Sequence, residues 1–128
     1  MSDSSPKGSV VAVLNDLIFG TKIRSTAESL HIAAILVRSS DELARRLDAD
    51  RPSLILVDLN TTLGAPISAI TAARRHPARP YIVAFVSHVD RDLADRAAAA
   101  GADEVMPRSR FTMQLPQLLQ DYCTGPAV

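Results

Sequence analysis

Short apolar runs alternate along this chain with polar, turn-forming stretches. The runs at residues 10–14, 32–37, 54–57 and 81–86 are too short for buried helices and are bounded by turn residues, so they predict β-strands. In three of them, VVAVL, LILV and YIVAFV, every position is apolar, the pattern of strands covered by helices on both faces. A fifth, weaker strand is expected at 104–106. Between the strands the spacing becomes helical. Phe19, Ile23, Ala27 and Leu30 recur at four, four and three residues and share one face. Around 41–48, Ser39 and Glu42 stand at capping-box spacing, with Leu43, Ala44 and Leu47 expected inward. Ile67 and Ile70 mark a third helix, with Pro66 in its first turn and Pro77 beyond its end. Asp90 reads as the N-cap of a fourth, which carries Leu93, Ala94, Ala97 and Ala98 and stops at Gly101. A last helix is expected from Pro116, with Leu118, Leu119 and Tyr122 inward, and Ser109 to Gln114 reads as loop or a single turn.

The resulting βαβαβαβαβα order with short, right-handed connections predicts one α/β domain, a doubly wound five-stranded parallel sheet with helices on both faces. Its expected extent is 9–123, between a polar leader at 1–8 and a short tail at 124–128. At 128 residues there is room for one domain. Lys plus Arg and Asp plus Glu both total 14, so no basic excess points to nucleic acid or an anionic membrane. A hydrophobic content of 47% is ample for a core, yet no apolar run approaches the roughly 20 residues of a membrane span. The one cysteine, Cys123, excludes an internal disulfide and a thiolate metal cage and suits a reducing, cytoplasmic setting, as an inert or spare surface thiol.

In an open parallel sheet, chemistry collects beyond the carboxyl ends of the strands. The residues there are Asn15-Asp16 after the first strand, Asp58-Leu59-Asn60 after the third, Ser87-His88 after the fourth and Pro107-Arg108-Ser109 after the fifth. Two carboxylates, a hydroxyl and a cation therefore converge by topology. Such a set suits phosphoryl chemistry: a carboxylate attacks a phosphoryl group only when a hard cation neutralises the incoming charge, and Mg²⁺ takes oxygen ligands such as Asp16 and Asp58. Ser87 and Arg108 would hold the phosphoryl oxygens.

This order of residues resembles the receiver domain of two-component response regulators over essentially residues 9–123. The resemblance implies a flavodoxin-like sheet of order 2-1-3-4-5. It also implies Asn15-Asp16 as the acidic pair, Asp58 as phosphoacceptor, the Asn60 backbone carbonyl as a further Mg²⁺ ligand, Ser87 as switch hydroxyl and Arg108 at the lysine position. The run Ala100-Gly101-Ala102-Asp103-Glu104 is similar to the family's approach to its fifth strand. Several positions depart from that pattern. Asn15 replaces an acid and weakens the metal site. Arg108 replaces lysine with a planar fork, which could pair bidentately with Asp58 and hold it neutralised. His88 stands where a small residue usually admits the phosphodonor, as a gate or a titrating group. Val105 takes the place of the aromatic switch, and Ser109 that of a proline.

The leading expectation is a non-enzymatic, single-domain signalling protein that acts through protein contacts, with Asp58 in a degenerate pocket of weak or absent phosphorylation. It needs Mg²⁺ only if competent, and a fully competent receiver is the alternative. No output domain is expected after residue 128, so the signal is expected to leave through the surface. The expected partners are a histidine kinase or a downstream signalling protein, and the face Leu93–Ala100, Val105 and Gln114–Tyr122 is a candidate for docking or a homodimer. Two other classes compete. A flavodoxin-like nucleotide or flavin binder would need a Gly, Ser or Thr-rich loop after the first strand, whereas residues 15–21 offer one glycine and one threonine behind Asn15-Asp16. A hydrolase would need Ser87, His88 and Asp90 in triad geometry, which near-adjacent residues rarely reach. Each residue also has a plain structural reading: the carboxylates as helix caps or arginine partners, Ser87 as a helix-start residue, His88 as a packed or solvent-facing ring. His31 and His76 carry no expected role, and Arg45-Arg46 and Arg74-Arg75 read as solvated helix faces.

Overall fold

The computed structural model describes residues 8–61, 65–87 and 90–123. The expected leader apart from Gly8, the expected tail and His88 lie outside these residues. Five strands and five helices alternate: β1 (Val10–Val13), α1 (Leu17–Ser29), β2 (Ala34–Val37), α2 (Ser40–Asp50), β3 (Leu54–Asp58), α3 (Pro66–Arg75), β4 (Tyr81–Val86), α4 (Arg91–Ala100), β5 (Glu104–Pro107) and α5 (Arg108–Cys123). The sheet is wholly parallel, in the order β2-β1-β3-β4-β5. Among the described residues, no helix is long and apolar enough to cross a membrane.

The continuous apolar strands explain the two layers. Side chains alternate across the sheet, so Val10 and Ala12 of β1 join one core with Phe19, Ile23 and Ala27 of α1 and Phe111, Leu115 and Leu119 of α5. Val11 and Val13 join the other, against Leu43 and Leu47 of α2, Ile70 and Ala73 of α3 and Ala97 of α4. Helix starts follow the expected caps: Ser39 accepts from the Glu42 N–H at 3.2 Å, and Asp90 from the Leu93 N–H at 3.0 Å. Glu42 reaches back one residue further than a capping box requires and accepts from the Arg38 N–H at 2.8 Å. Gly101 ends α4 at φ 122°, a backbone region that L side chains rarely adopt.

Three expectations are corrected. The last helix begins at Arg108, not Pro116, and runs through the stretch read as loop. Pro116 sits inside it with its ring exposed. The lost backbone bond to Thr112 is outweighed because Phe111, Leu115, Leu118 and Leu119 form one continuous buried stripe across the proline. Ala44 faces solvent, since α2 turns only Leu43 and Leu47 to the core. Cys123 is fully buried at the end of α5, its sulfur 3.7 Å from the Ser53 hydroxyl, so it is no surface thiol.

Candidate functional site

Strands β1 and β3 are neighbours in register, with Val13 beside Val57, so the residues just past their ends meet at one edge of the sheet. Asp16 follows β1 as the N-cap of α1, and its Oδ1 accepts from the Phe19 N–H at 3.0 Å. Asp58 closes β3 and is buried, with only 3% of its surface exposed. Its Oδ1 accepts from the Asn60 N–H at 2.9 Å. Each carboxylate thus has one oxygen committed to backbone and one free.

Arg108 takes both free oxygens. As the first residue of α5 it reaches back across the edge, one guanidinium nitrogen donating to Asp58 Oδ2 at 3.2 Å and the other to Asp16 Oδ2 at 3.4 Å. The fork is therefore shared between two acids rather than bidentate on Asp58, because the Asn60 N–H already occupies Oδ1 of Asp58. Below it, the guanidinium carbon lies over the Phe19 ring at 4.4 Å and within 5.8 Å of the Phe85 ring. All three phenylalanines of the chain gather here, Phe85 stacked on Phe111 at 4.2 Å with Phe19 tilted against both. Arg108 Nε is buried and without a hydrogen-bond partner among the described residues. The sequence showed Phe19 only as a core position; its place three residues after Asp16, in the first turn of α1, is the signal that it underlies whatever binds Asp16.

The electrostatics of the two acids differ. The Phe19 N–H, with Arg108 beside it, holds the Asp16 carboxyl below the usual carboxylate range. Burial pushes the Asp58 carboxyl above that range, and the Asn60 N–H and Arg108 oppose this without cancelling it.

Around this pair the strand ends are tied together. Thr61 donates its hydroxyl to Asn15 Oδ1 at 2.7 Å, joining the β1 and β3 ends. Asn60 Oδ1 accepts both the N–H and the hydroxyl of Ser87, at 2.6 and 2.9 Å, joining β3 to β4. The edge cluster thus includes Asn15, Asp16, Asp58, Asn60, Ser87 and Arg108, with the Ser87 hydroxyl directed to Asn60. Asp90 is spent on capping α4, which leaves the triad reading without its orienting acid. The Phe19 amide at the start of α1 is taken by Asp16, so the donor a flavin or nucleotide phosphate would use there already faces a carboxylate.

The donor set fits Mg²⁺ poorly. A divalent ion bridging Asp16 and Asp58 would need the two oxygens that Arg108 holds and would sit against a full positive charge. Among the described residues, no group of three or more His, Cys, Asp or Glu side chains could hold a metal ion.

Solved structures share this architecture over nearly their whole length. The chemotaxis protein CheY4 of Vibrio cholerae superposes with a TM-score of 0.78 at 15% identity, covering 91% of this chain and 98% of that one. This is the fold of a response-regulator receiver domain. The signal receiver domain of the putative response regulator NarL from Mycobacterium tuberculosis matches the receiver fold at a TM-score of 0.76 and 12% identity, over 91% and 96% of the two chains. The phosphorylated cyanobacterial phytochrome response regulator RcpA matches at 0.76 and 15%, over 92% and 94%. No protein-family model matches the sequence, and neither does any curated protein.

Proposed function

We propose that this chain is a receiver-type signalling module that works through protein contacts, with Asp58 at the phosphoacceptor position and weak or absent phosphorylation. One observation carries the reading: Arg108 bridges Asp16 and Asp58. Phosphoryl transfer to a carboxylate relies on a metal ion to neutralise charge between nucleophile and donor. Here a side chain of the protein supplies that neutralisation, seated on Phe19 and tied to both acids. An arginine stays charged at any working pH and is held by planar geometry, so it does not vacate the seat as a lysine point charge would.

In this reading the chain is not an enzyme and works in the cytoplasm. Its partner is a protein, a histidine kinase or a downstream signalling protein. The face formed by Leu93–Ala100, Val105 and Gln114–Tyr122 is the one assigned to docking or to a homodimer. Part of it is an apolar cleft of about 230 Å³ between α4 and β5, lined by Val86, Ala94, Val105, Met106 and Pro107 with Asp90 and Arg91 at its rim.

The deciding experiment is intact-mass spectrometry after incubation with acetyl phosphate and Mg²⁺. The unmodified mass should persist. A phosphoryl adduct on most of the protein, lost in Asp58→Asn, would instead establish a competent receiver.

A further inference from the structure

A second concavity adjoins the site just described and shares Asn15 and Asp16 with it. It lies between α1 and the β2 edge, has a volume of about 240 Å³, and is lined by Leu14, Asn15, Asp16, Leu17, Thr21, Arg24, Leu36 and Arg38. Its shape follows from the sequence. Leu17, Thr21 and Arg24 recur at four and three residues and form one stripe of α1. Gly20 lets that helix settle onto β2, since a Cβ there would come within 3.0 Å of Leu36 Cδ1. Leu36 and Leu14 make an apolar floor, while Arg38 projects from the residue after β2.

The charges in this cleft are unbalanced. Among the described residues, neither Arg24 nor Arg38 makes a side-chain hydrogen bond or ion pair. The one acid in the lining, Asp16, is paired with Arg108, which it shares with Asp58, so two arginines in the lining face one acid that already has a partner. Glu42, four residues beyond Arg38, is occupied by the Arg38 backbone N–H, which fixes the main chain from which that arginine projects. Two arginines thus line a concavity that also holds Leu14 and Leu36, and its volume exceeds the roughly 150 Å³ that accepts a benzene ring in an apolar cavity.

We infer that this cleft binds a small oxyanion, a carboxylate or phosphate carried on a compact apolar body, with Arg24 and Arg38 as the charge-pairing groups and Leu14 and Leu36 beneath the body. Arginine pairs with both oxyanions through charge-assisted hydrogen bonds in its planar fork. The inference is independent of whether Asp58 accepts phosphate.

The test is a titration of the ¹⁵N-labelled full chain with sodium phosphate and, separately, sodium benzoate, each against sodium chloride at equal ionic strength. Saturable amide shifts centred on Thr21, Arg24, Leu36 and Arg38 are expected. Saturation by phosphate alone assigns the ligand to phosphate chemistry, and saturation by benzoate alone, or tighter, to apolar carboxylates; either supports the site. The Arg24→Gln, Arg38→Gln double variant should bind about tenfold or more weakly. Both positions are exposed, so the variant should keep its dispersed spectrum, which is the check that it folds. Shifts that grow linearly and match those of chloride overturn the inference, as does a folded double variant with an unchanged midpoint.

Discussion

The guanidinium of Arg108 rests over the ring of Phe19 at 4.4 Å, while the Phe19 backbone N–H holds the same Asp16 carboxylate that the arginine grips from its other side. Phe19 therefore supports the arrangement twice, through its ring and through its amide. Phe19→Leu keeps apolar bulk and the amide but removes the ring. A double-mutant cycle of Phe19→Leu with Arg108→Met, read by urea denaturation, should give a coupling of about 0.5–2 kcal/mol. Additive effects would mean the ring only fills space.

Removing the guanidinium should convert the site from a closed ion pair to an open acidic one. Arg108→Ala leaves Asp58 buried without its cation, a loss of about 1–2 kcal/mol at neutral pH in the absence of metal. The same variant should bind Mg²⁺ by calorimetry where the parent protein gives no heat, because the two freed oxygens form a hard-cation site. Arg108→Lys should fall between, keeping the charge but losing the fork that spans two acids.

The pH dependence separates the two carboxylates. Burial raises the folded-state value of Asp58, so its contribution to stability is fully present below the unfolded value and is lost as pH rises through the folded one. Asp58→Asn removes that loss. As pH rises above the ordinary carboxylate range, the urea midpoint of Asp58→Asn should therefore gain on that of the parent. Asp16, held low, works in the opposite sense: its contribution is present above the ordinary carboxylate range and fades as pH falls below it. Parallel profiles for the parent and Asp58→Asn would show that burial does not set the Asp58 equilibrium.

Gly101 is the position where a small change should disturb the fold most cleanly away from the site. It combines φ of 122° with a place against Arg74, whose Cγ lies 2.7 Å from where a Cβ would stand. Gly101→Ala should lower stability by about 1 kcal/mol or more, measured by thermal or urea unfolding. The carboxylate chemistry at the opposite edge of the sheet should be unaffected.

Most of the architecture was legible in the linear pattern because local rules settle it. Continuous apolar runs too short for buried helices and bounded by turn residues predict strands buried on both faces, and Ser39, Pro66, Asp90 and Gly101 mark helix ends by capping chemistry that depends on a few adjacent residues. The placement of Asp16 and Asp58 at one edge also followed, since parallel neighbours must deliver their ends to the same side. The start of α5 was not legible. A proline at 116 is a good first-turn residue, and only packing of Phe111 and Leu115 against the sheet decides that the helix has already run through two turns before it.

What the sequence by itself determined is which groups can meet: periodicity and chain order place two carboxylates, a hydroxyl and a guanidinium around one rim. What only the tertiary structure decided is how they share their bonds. Asn60 and Phe19 each claim one carboxylate oxygen, so Arg108 divides its fork between two acids instead of clasping one. Ser87 turns to Asn60, and an aromatic bed forms beneath the cation. Such choices depend on competition among donors and acceptors within about 3 Å of one another, a distance at which residues far apart in the chain act as immediate neighbours.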